Sequence, residues 1–273
     1  MRRRGAAVER GGALAAAALL AALPGVAAAR PAPPPFPPVV AQALAAVAAR
    51  APTLGLPVGG PLALPPEPPS HTYLTAQTRV GRGAWSVLLV RTDAPYAVDN
   101  PAIAEPAAHA SPVAEFGVAR AQGRPSDRPA ALAAYLWRES LALGGLVPRG
   151  GLPPLPFAGA ARSIDLGEGI VGAVRQAGPG AVSITWREGE WTLAVLDVAP
   201  ATARAIARAL VAYLHVALLP PHPGVAAVAV AVGGVTTRLA WLARGDVYHV
   251  EDVLAWGENP VAACAMAVSW RDR

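Results

Sequence analysis

The side chains able to do chemistry are few and widely spaced. Gly167-Glu168-Gly169-Ile170-Val171-Gly172 matches G-x-G-x-x-G. That spacing serves a dinucleotide only between a strand and a helix N-terminus, where backbone N–H groups meet the pyrophosphate. Here Gly178-Pro179-Gly180 follows within six residues, and the stretch between reads as a strand. The motif therefore reads as a turn feeding a strand. His249 and Glu251 alternate onto one strand face, which is two ligands of a metal site, but Arg238 is their expected neighbour and would repel a cation. A solvated cross-strand ion pair of Arg238 with Glu251 is the expectation, worth about 0.2–1 kcal/mol.

The other candidates fare no better. His215 and His222 are separated by Pro220-Pro221 and form no helical pair. Glu188 and Glu190 sit in a tight hairpin loop, where both are expected to be solvated and neither gains the burial that separates an acid from a base. Ser140 and Ser269 fall on expected helices without a local base. Cys264, the single cysteine, lies among Val261, Ala262, Ala263, Met266 and Ala267, the setting of a buried apolar thiol. One cysteine also excludes a disulfide framework and a zinc site built on several thiolates. No G-x-S-x-G, H-E-x-x-H or P-loop pattern occurs. The sequence assigns no catalytic, cofactor-binding or metal-binding residue, and no cofactor.

The elements that would position these residues fall into a pattern. Tyr73–Val80 and Trp85–Arg91 flank Gly81-Arg82-Gly83 as a hairpin. Asp127 opens a helix that starts with Arg128-Pro129 and runs to Leu143, where Gly144-Gly145 stops it. Ile170–Arg175, Val182–Trp186 and Trp191–Asp197 read as three strands before a helix at Pro200. Val225–Val232, Thr236–Trp241 and Val247–Glu251 read as three more before a helix at Pro260, capped by Asn259. Trp186 matches Trp241, Gly189 matches Gly245, Trp191 matches Tyr248 and Pro200 matches Pro260, at offsets of 55 to 60 residues. Two strand-strand-strand-helix units, about 165–217 and 224–270, point to a duplication.

The expected fold is α+β: an antiparallel sheet from the two units plus an N-terminal hairpin and helix, with the helices on one face. In the first unit Trp186 is expected to face Trp191, Ile184 Leu193, and Val182 Val195, all six on one side. In the second, Trp241 faces Tyr248, Leu239 Val250, Arg238 Glu251 and Ala240 His249, the last two pairs on an open face. The helix from Pro200 carries Ile206, Leu210, Leu214 and Ala217 on one stripe and Arg204, Arg208 and His215 on another, an amphipathic pattern. Seven tryptophans are expected mainly in the core; Trp85, Trp137 and Trp256 are the ones least placed by pattern.

Arg2, Arg3, Arg4 and Arg10 precede an uncharged run from Ala13 to Leu23, and Ala27-Ala28-Ala29 follows Pro24-Gly25. A basic start, a short apolar stretch and an A-x-A site read as a signal peptide over residues 1–29. The apolar run is short for a membrane span. Residues 30–70 are proline-rich, with 13 prolines in 30–69, and read as an extended linker interrupted by an alanine-rich stretch from Val39 to Arg50. The domain is expected over 71–273. Loss of the leader removes four Arg and one Glu, lowering the net charge from +5 to +2. That charge makes no phosphate-binding stripe, so nucleic acid is not an expected partner despite the basic isoelectric point. All 23 basic residues are arginine, a mark of codon usage.

Asp165-Leu166-Gly167-Glu168-Gly169-Ile170, the run Ile184-Thr185-Trp186-Arg187-Glu188-Gly189-Glu190-Trp191, Leu218-Leu219-Pro220-Pro221 and Val98-Asp99-Asn100-Pro101-Ala102-Ile103 together resemble a family of uncharacterised exported proteins of Gram-positive, spore-forming-type bacteria. The likeness covers roughly 71–270. More distantly, Trp241, Gly245, Tyr248 and Ala267-Val268-Ser269 look like the closing hairpin and helix of extracytoplasmic domains in anti-sigma-type and lipoprotein-like regulators. The resemblance implies an exported protein and brings no catalytic residues with it. The expected function is that of a non-enzymatic cell-envelope protein binding an envelope polymer or protein partner. The alternatives are an extracytoplasmic hydrolase acting on envelope polymer, or a membrane-tethered sensor if the leader is retained. A carrier of apolar ligands is disfavoured, because large side chains fill the expected inner face.

Overall fold

The computed structural model describes residues 35–50, 52–64, 72–123, 125–143, 155–231, 234–254 and 259–273. The expected leader over 1–29 and Trp256 lie outside them. Ten strands form one sheet: β2 (Tyr73–Gly81), β3 (Ala84–Thr92), β4 (Ser111–Arg120), β5 (Arg162–Gly167), β6 (Ile170–Gly178), β7 (Ala181–Glu188), β8 (Trp191–Val198), β9 (Gly224–Ala231), β10 (Gly234–Ala243) and β11 (Asp246–Leu254). Their spatial order is β2-β3-β4-β11-β10-β9-β8-β7-β6-β5. Every pairing is antiparallel except β8 with β9, which is parallel. A short pair, β1 (Gly59–Pro61) with β12 (Trp270–Asp272), stands apart. With four α-helices among the described residues, α1 (Pro38–Arg50), α2 (Pro129–Leu143), α3 (Pro200–Leu214) and α4 (Ala262–Val268), the fold is α+β.

The turns follow from their residues. Arg244 and Gly245 both take positive φ, 55° and 84°, between Ala243 and Asp246, as a two-residue type I′ hairpin requires. Glu168 and Gly169 do the same, at 52° and 75°, between Gly167 and Ile170. The G-x-G-x-x-G run is thus a hairpin turn, and β6 rather than a helix follows it.

The β7–β8 register differs from the expectation. Glu188 pairs with Trp191, Trp186 with Leu193 and Ile184 with Val195. The loop is Gly189-Glu190 alone, with Gly189 at φ 56°, the first central position where a two-residue hairpin favours glycine. A slip of two residues leaves every side chain on its face. Val182, Ile184, Trp186, Trp191, Leu193 and Val195 all join one core. Near the end of β8 a bulge sets Val182 opposite Val198, with Asp197 at φ 53° and hydrogen-bonded to the Ser183 hydroxyl at 3.0 Å. The β10–β11 pairs are those expected from the sequence.

Three helices, α1, α3 and α4, pack on that core's side of the sheet. The fourth does not. α2 covers the other side over β8–β11, where Tyr135, Leu136 and Trp137 meet Ala194, Val225, Ala227, Ala240 and Val247. The expectation of helices on one face fails for α2 because the small residues of β8–β10 leave a flat apolar strip that needs a cover of its own.

The linker reading fails for the described part of 30–70. In α1, Val40, Ala43, Leu44 and Val47 are fully buried. β1 adds to β12, the Leu62 and Ala63 N–H groups donate to Ser269 Oγ at 3.1 and 2.8 Å, and Trp85 Nε1 donates to the Pro57 carbonyl at 3.0 Å. Prolines at Pro57 and Pro61 are compatible with this, since edge pairing does not need their missing N–H groups. Alanines and β-branched residues suffice to bury α1 because it sits close to the sheet. Leu44→Ala is accordingly expected to lower unfolding stability by about 2–5 kcal/mol, measured by urea denaturation; an unchanged midpoint would return α1 to the role of a spacer.

Candidate functional site

The chemistry-bearing residues separate into a buried set and an exposed set. Glu115, Glu251 and Arg238 form a row across β4, β11 and β10, all of them fully buried. Arg238 donates to Glu251 Oε2 and to the Ser140 carbonyl of α2, the latter at 2.6 Å. The pair is therefore not solvated, as the sequence suggests it would be: α2 lies over it. Burial pushes the Glu251 carboxyl up, and Arg238 opposes the shift. A buried pair of this kind adds little net stability, but removing one partner typically costs about 3–5 kcal/mol. Its role is to fix α2 on the sheet.

His249 occupies the next row, opposite Gly117 and Ala240. It is fully buried, and its ring nitrogens lack hydrogen-bond partners of normal geometry among the described residues. Burial, with Arg238 as the next cause, drives its pKa down to about 3, so the imidazole is neutral. Gly117 leaves room for it: a Cβ there would stand 2.8 Å from His249 Cε1 and 2.3 Å from the Trp85 carbonyl oxygen. Cys264 is fully buried, and burial raises its thiol to about 12; it is an inert apolar side chain. All of these groups are closed to solvent.

The exposed candidates do not converge into an acid–base pair. His215 Nε2 lies 3.6 Å from Glu168 Oε2 at the surface. Glu188 is half-buried and accepts from Trp186 Nε1 at 2.8 Å; burial raises its carboxyl, a departure from the solvated loop expected. Glu190 is exposed. Asp99, from the Val98–Ile103 run, has a structural role. At φ 60° its N–H donates to the Ala76 carbonyl at 2.9 Å, covering the β2 edge. Its carboxylate accepts from the Thr78 N–H and hydroxyl at 2.6 and 2.7 Å and meets Arg50 at 3.1 Å.

What remains is a shaped surface at the end of the sheet that carries the β7–β8 and β10–β11 turns. The chain leaves α3, crosses as Leu218-Leu219-Pro220-Pro221-His222, and enters β9. Two clefts of about 520 and 540 Å³ flank this crossing. Trp241, Tyr248 and Trp270 line the first, with Arg244 and Asp272 ion-paired at 3.1 Å on its rim. Trp191, Leu214, Glu188 and Glu190 line the second. Leu218 stands between them at 82% exposure, close to Val216 at 81%.

Trp191 organises this end. Its Nε1 donates to the Pro220 carbonyl at 2.9 Å, and its ring lies where a Cβ on Gly224 would come within 2.6 Å of three of its atoms. Trp191 and Trp241 centroids are 6.2 Å apart, Trp241 stacks on Tyr248 at 5.3 Å, and Trp270 meets both edge-on at 5.4 and 5.6 Å. Each such pair adds about 0.5–1.5 kcal/mol beyond area burial. Sequence pattern places these rings in the core; it gives no sign that their edges also floor a cleft, since that depends on the route of residues 215–223.

One buried group makes a measurable pH signature. Asp252 lies two residues past Val250 on the same side of β11, opposite Thr237. Burial raises its carboxyl from 3.8 to about 7; Arg91 opposes the shift and Glu251 adds to it. The folded state binds this proton more tightly than the unfolded one, so its contribution to stability is complete below the unfolded pKa and is lost as pH rises toward 7. Urea titrations at a series of pH values should show the parent losing stability relative to Asp252→Asn between about pH 4 and 7, with no further divergence above. Parallel curves would place the carboxylate in water. No protein-family model, curated protein or solved structure matches the chain.

Proposed function

We propose that the chain is an exported, non-enzymatic cell-envelope protein that binds an envelope polymer at the paired clefts around Leu218–His222. The observation that carries this reading is the contrast between the two sets of residues. Arg238, His249, Glu251 and Cys264 are fully buried, while the accessible end of the sheet offers aromatic-floored clefts and an exposed leucine. Clefts of several hundred Å³ with apolar walls and a few polar groups at the rim are the usual form of a binding site. The three-part N-terminal pattern of residues 1–29 supports export.

The two halves of the sheet support a duplication as well. β6-β7-β8-α3 and β9-β10-β11-α4 repeat the same element order. Trp186 and Trp241 each stand two residues before the end of their strand, and each strand leads into a two-residue turn. The glycine comes first in one turn and second in the other, which accounts for the uneven spacing from tryptophan to glycine.

Co-sedimentation with purified peptidoglycan sacculi tests the function. The protein should pellet with sacculi, and Leu218→Asp should weaken that association at least about tenfold, equivalent to ~1.4 kcal/mol. Release of soluble wall fragments by the protein would replace this reading with a hydrolase. Absence from the pellet would remove the polymer as partner.

A further inference from the structure

A third cleft, of about 540 Å³, lies on the α3 side of β5–β7, toward the opposite end of those strands from the Leu218 crossing. Its composition differs from the first two. Arg162 at the start of β5 and Arg204 and Arg208, one turn apart on α3, all line it and are exposed. Among the described residues, none of the three has a carboxylate within 4.0 Å. The acid that lines the cleft, Asp165, accepts from the Gly167 N–H at 3.0 Å, and its backbone carbonyl takes a long bond of 3.4 Å from Arg208. The cleft thus holds three cations against one carboxylate, and none of the three is ion-paired among the described residues.

Its floor is apolar and reaches the core. Ile164 and Val174 are half-buried, and Val182 and Ile184, at 3% and 1% exposure, form its base. The lining contains no aromatic ring on which a base could stack, so it lacks what a single-stranded nucleic acid would use. A rim of guanidinium groups over an aliphatic floor suits a ligand with an anionic head and a hydrocarbon chain. Arginine forks match carboxylate oxygens two at a time. The aliphatic side chains would gain by covering exposed apolar area.

We propose that this cleft binds a long-chain carboxylate, its head on Arg162, Arg204 and Arg208 and its chain along Ile164, Val174, Val182 and Ile184. The expectation that large side chains leave no room between sheet and helices is not met here: a cleft of about 540 Å³ opens between α3 and the edge strands β5–β7.

Calorimetric titration of the full chain with dodecanoate tests this, with 1-dodecanol and acetate as probes of chain and head alone. Dodecanoate should bind saturably, while dodecanol and acetate bind at least about tenfold more weakly. Added salt should weaken dodecanoate binding, since the rim is exposed. Arg204→Gln with Arg208→Gln should reduce affinity for dodecanoate at least about tenfold, and both positions are exposed, so circular dichroism should be unchanged. Leu218→Asp, at the other clefts, should bind dodecanoate like the parent. Equal binding of dodecanol would show that the arginines recognise nothing, and equal binding of acetate that the floor does not contribute. Absent saturation, or an unaffected arginine double variant, would overturn the assignment.

Discussion

The indole of Trp191 lies against the bare Cα of Gly224 across the parallel register that joins β8 to β9. On one side of that seam the chain builds β5–β8, and on the other β9–β11 and then β4, β3 and β2. Parallel neighbours cannot be joined by a tight turn; α3 supplies the crossover, and residues 215–223 return the chain to the start of β9. The same indole holds that return through its bond to the Pro220 carbonyl. Close approach at the seam, the stacked rings beyond it and the shape of both aromatic clefts all follow from one large side chain placed opposite one glycine.

A second constraint works on the other side of the sheet. Small residues at Ala194, Ala227 and Ala240 let α2 come down on the strands, over the buried Arg238 and Glu251. Arg238 answers by bonding both the sheet and the helix. The Arg238–Glu251 pair is thus engaged in holding layers together, while the clefts at the end of the sheet stay accessible. That division underlies the proposal of a binding role.

Much of the fold is legible in the sequence because it is local. Alternation puts Trp186, Ile184 and Leu193 on one face and Thr185 and Ala194 on the other whatever the register, since a two-residue slip changes partners and not faces. Glycine positions predict the turns. The register of β7–β8 is not legible, because Arg187-Glu188-Gly189-Glu190 fits a four-residue loop as well as a two-residue one; only burial of Glu188 beside Trp186 separates them. The burial of α1 is hidden by composition. Its alanines and valines look like a spacer until β2 and β3 are present to cover them. The Arg238–Glu251 pair is legible as a contact but not as a buried one, because what buries it is α2, about a hundred residues upstream. The clefts are the least legible of all, for they depend on how a proline-rich crossing passes over side chains that pattern assigns to the core.

The Trp191–Gly224 seam makes one cooperative sheet out of two halves. Residue-resolved hydrogen exchange on the parent and on Gly224→Ala tests it most directly. A Cβ forced against the ring should cost about 1–3 kcal/mol, and amides of β6–β8 and of β10–β11 should lose protection by the same free energy. Loss confined to Val225–Ala229, or separate protection levels for the two halves in the parent, would show that the seam joins neighbours without uniting the sheet.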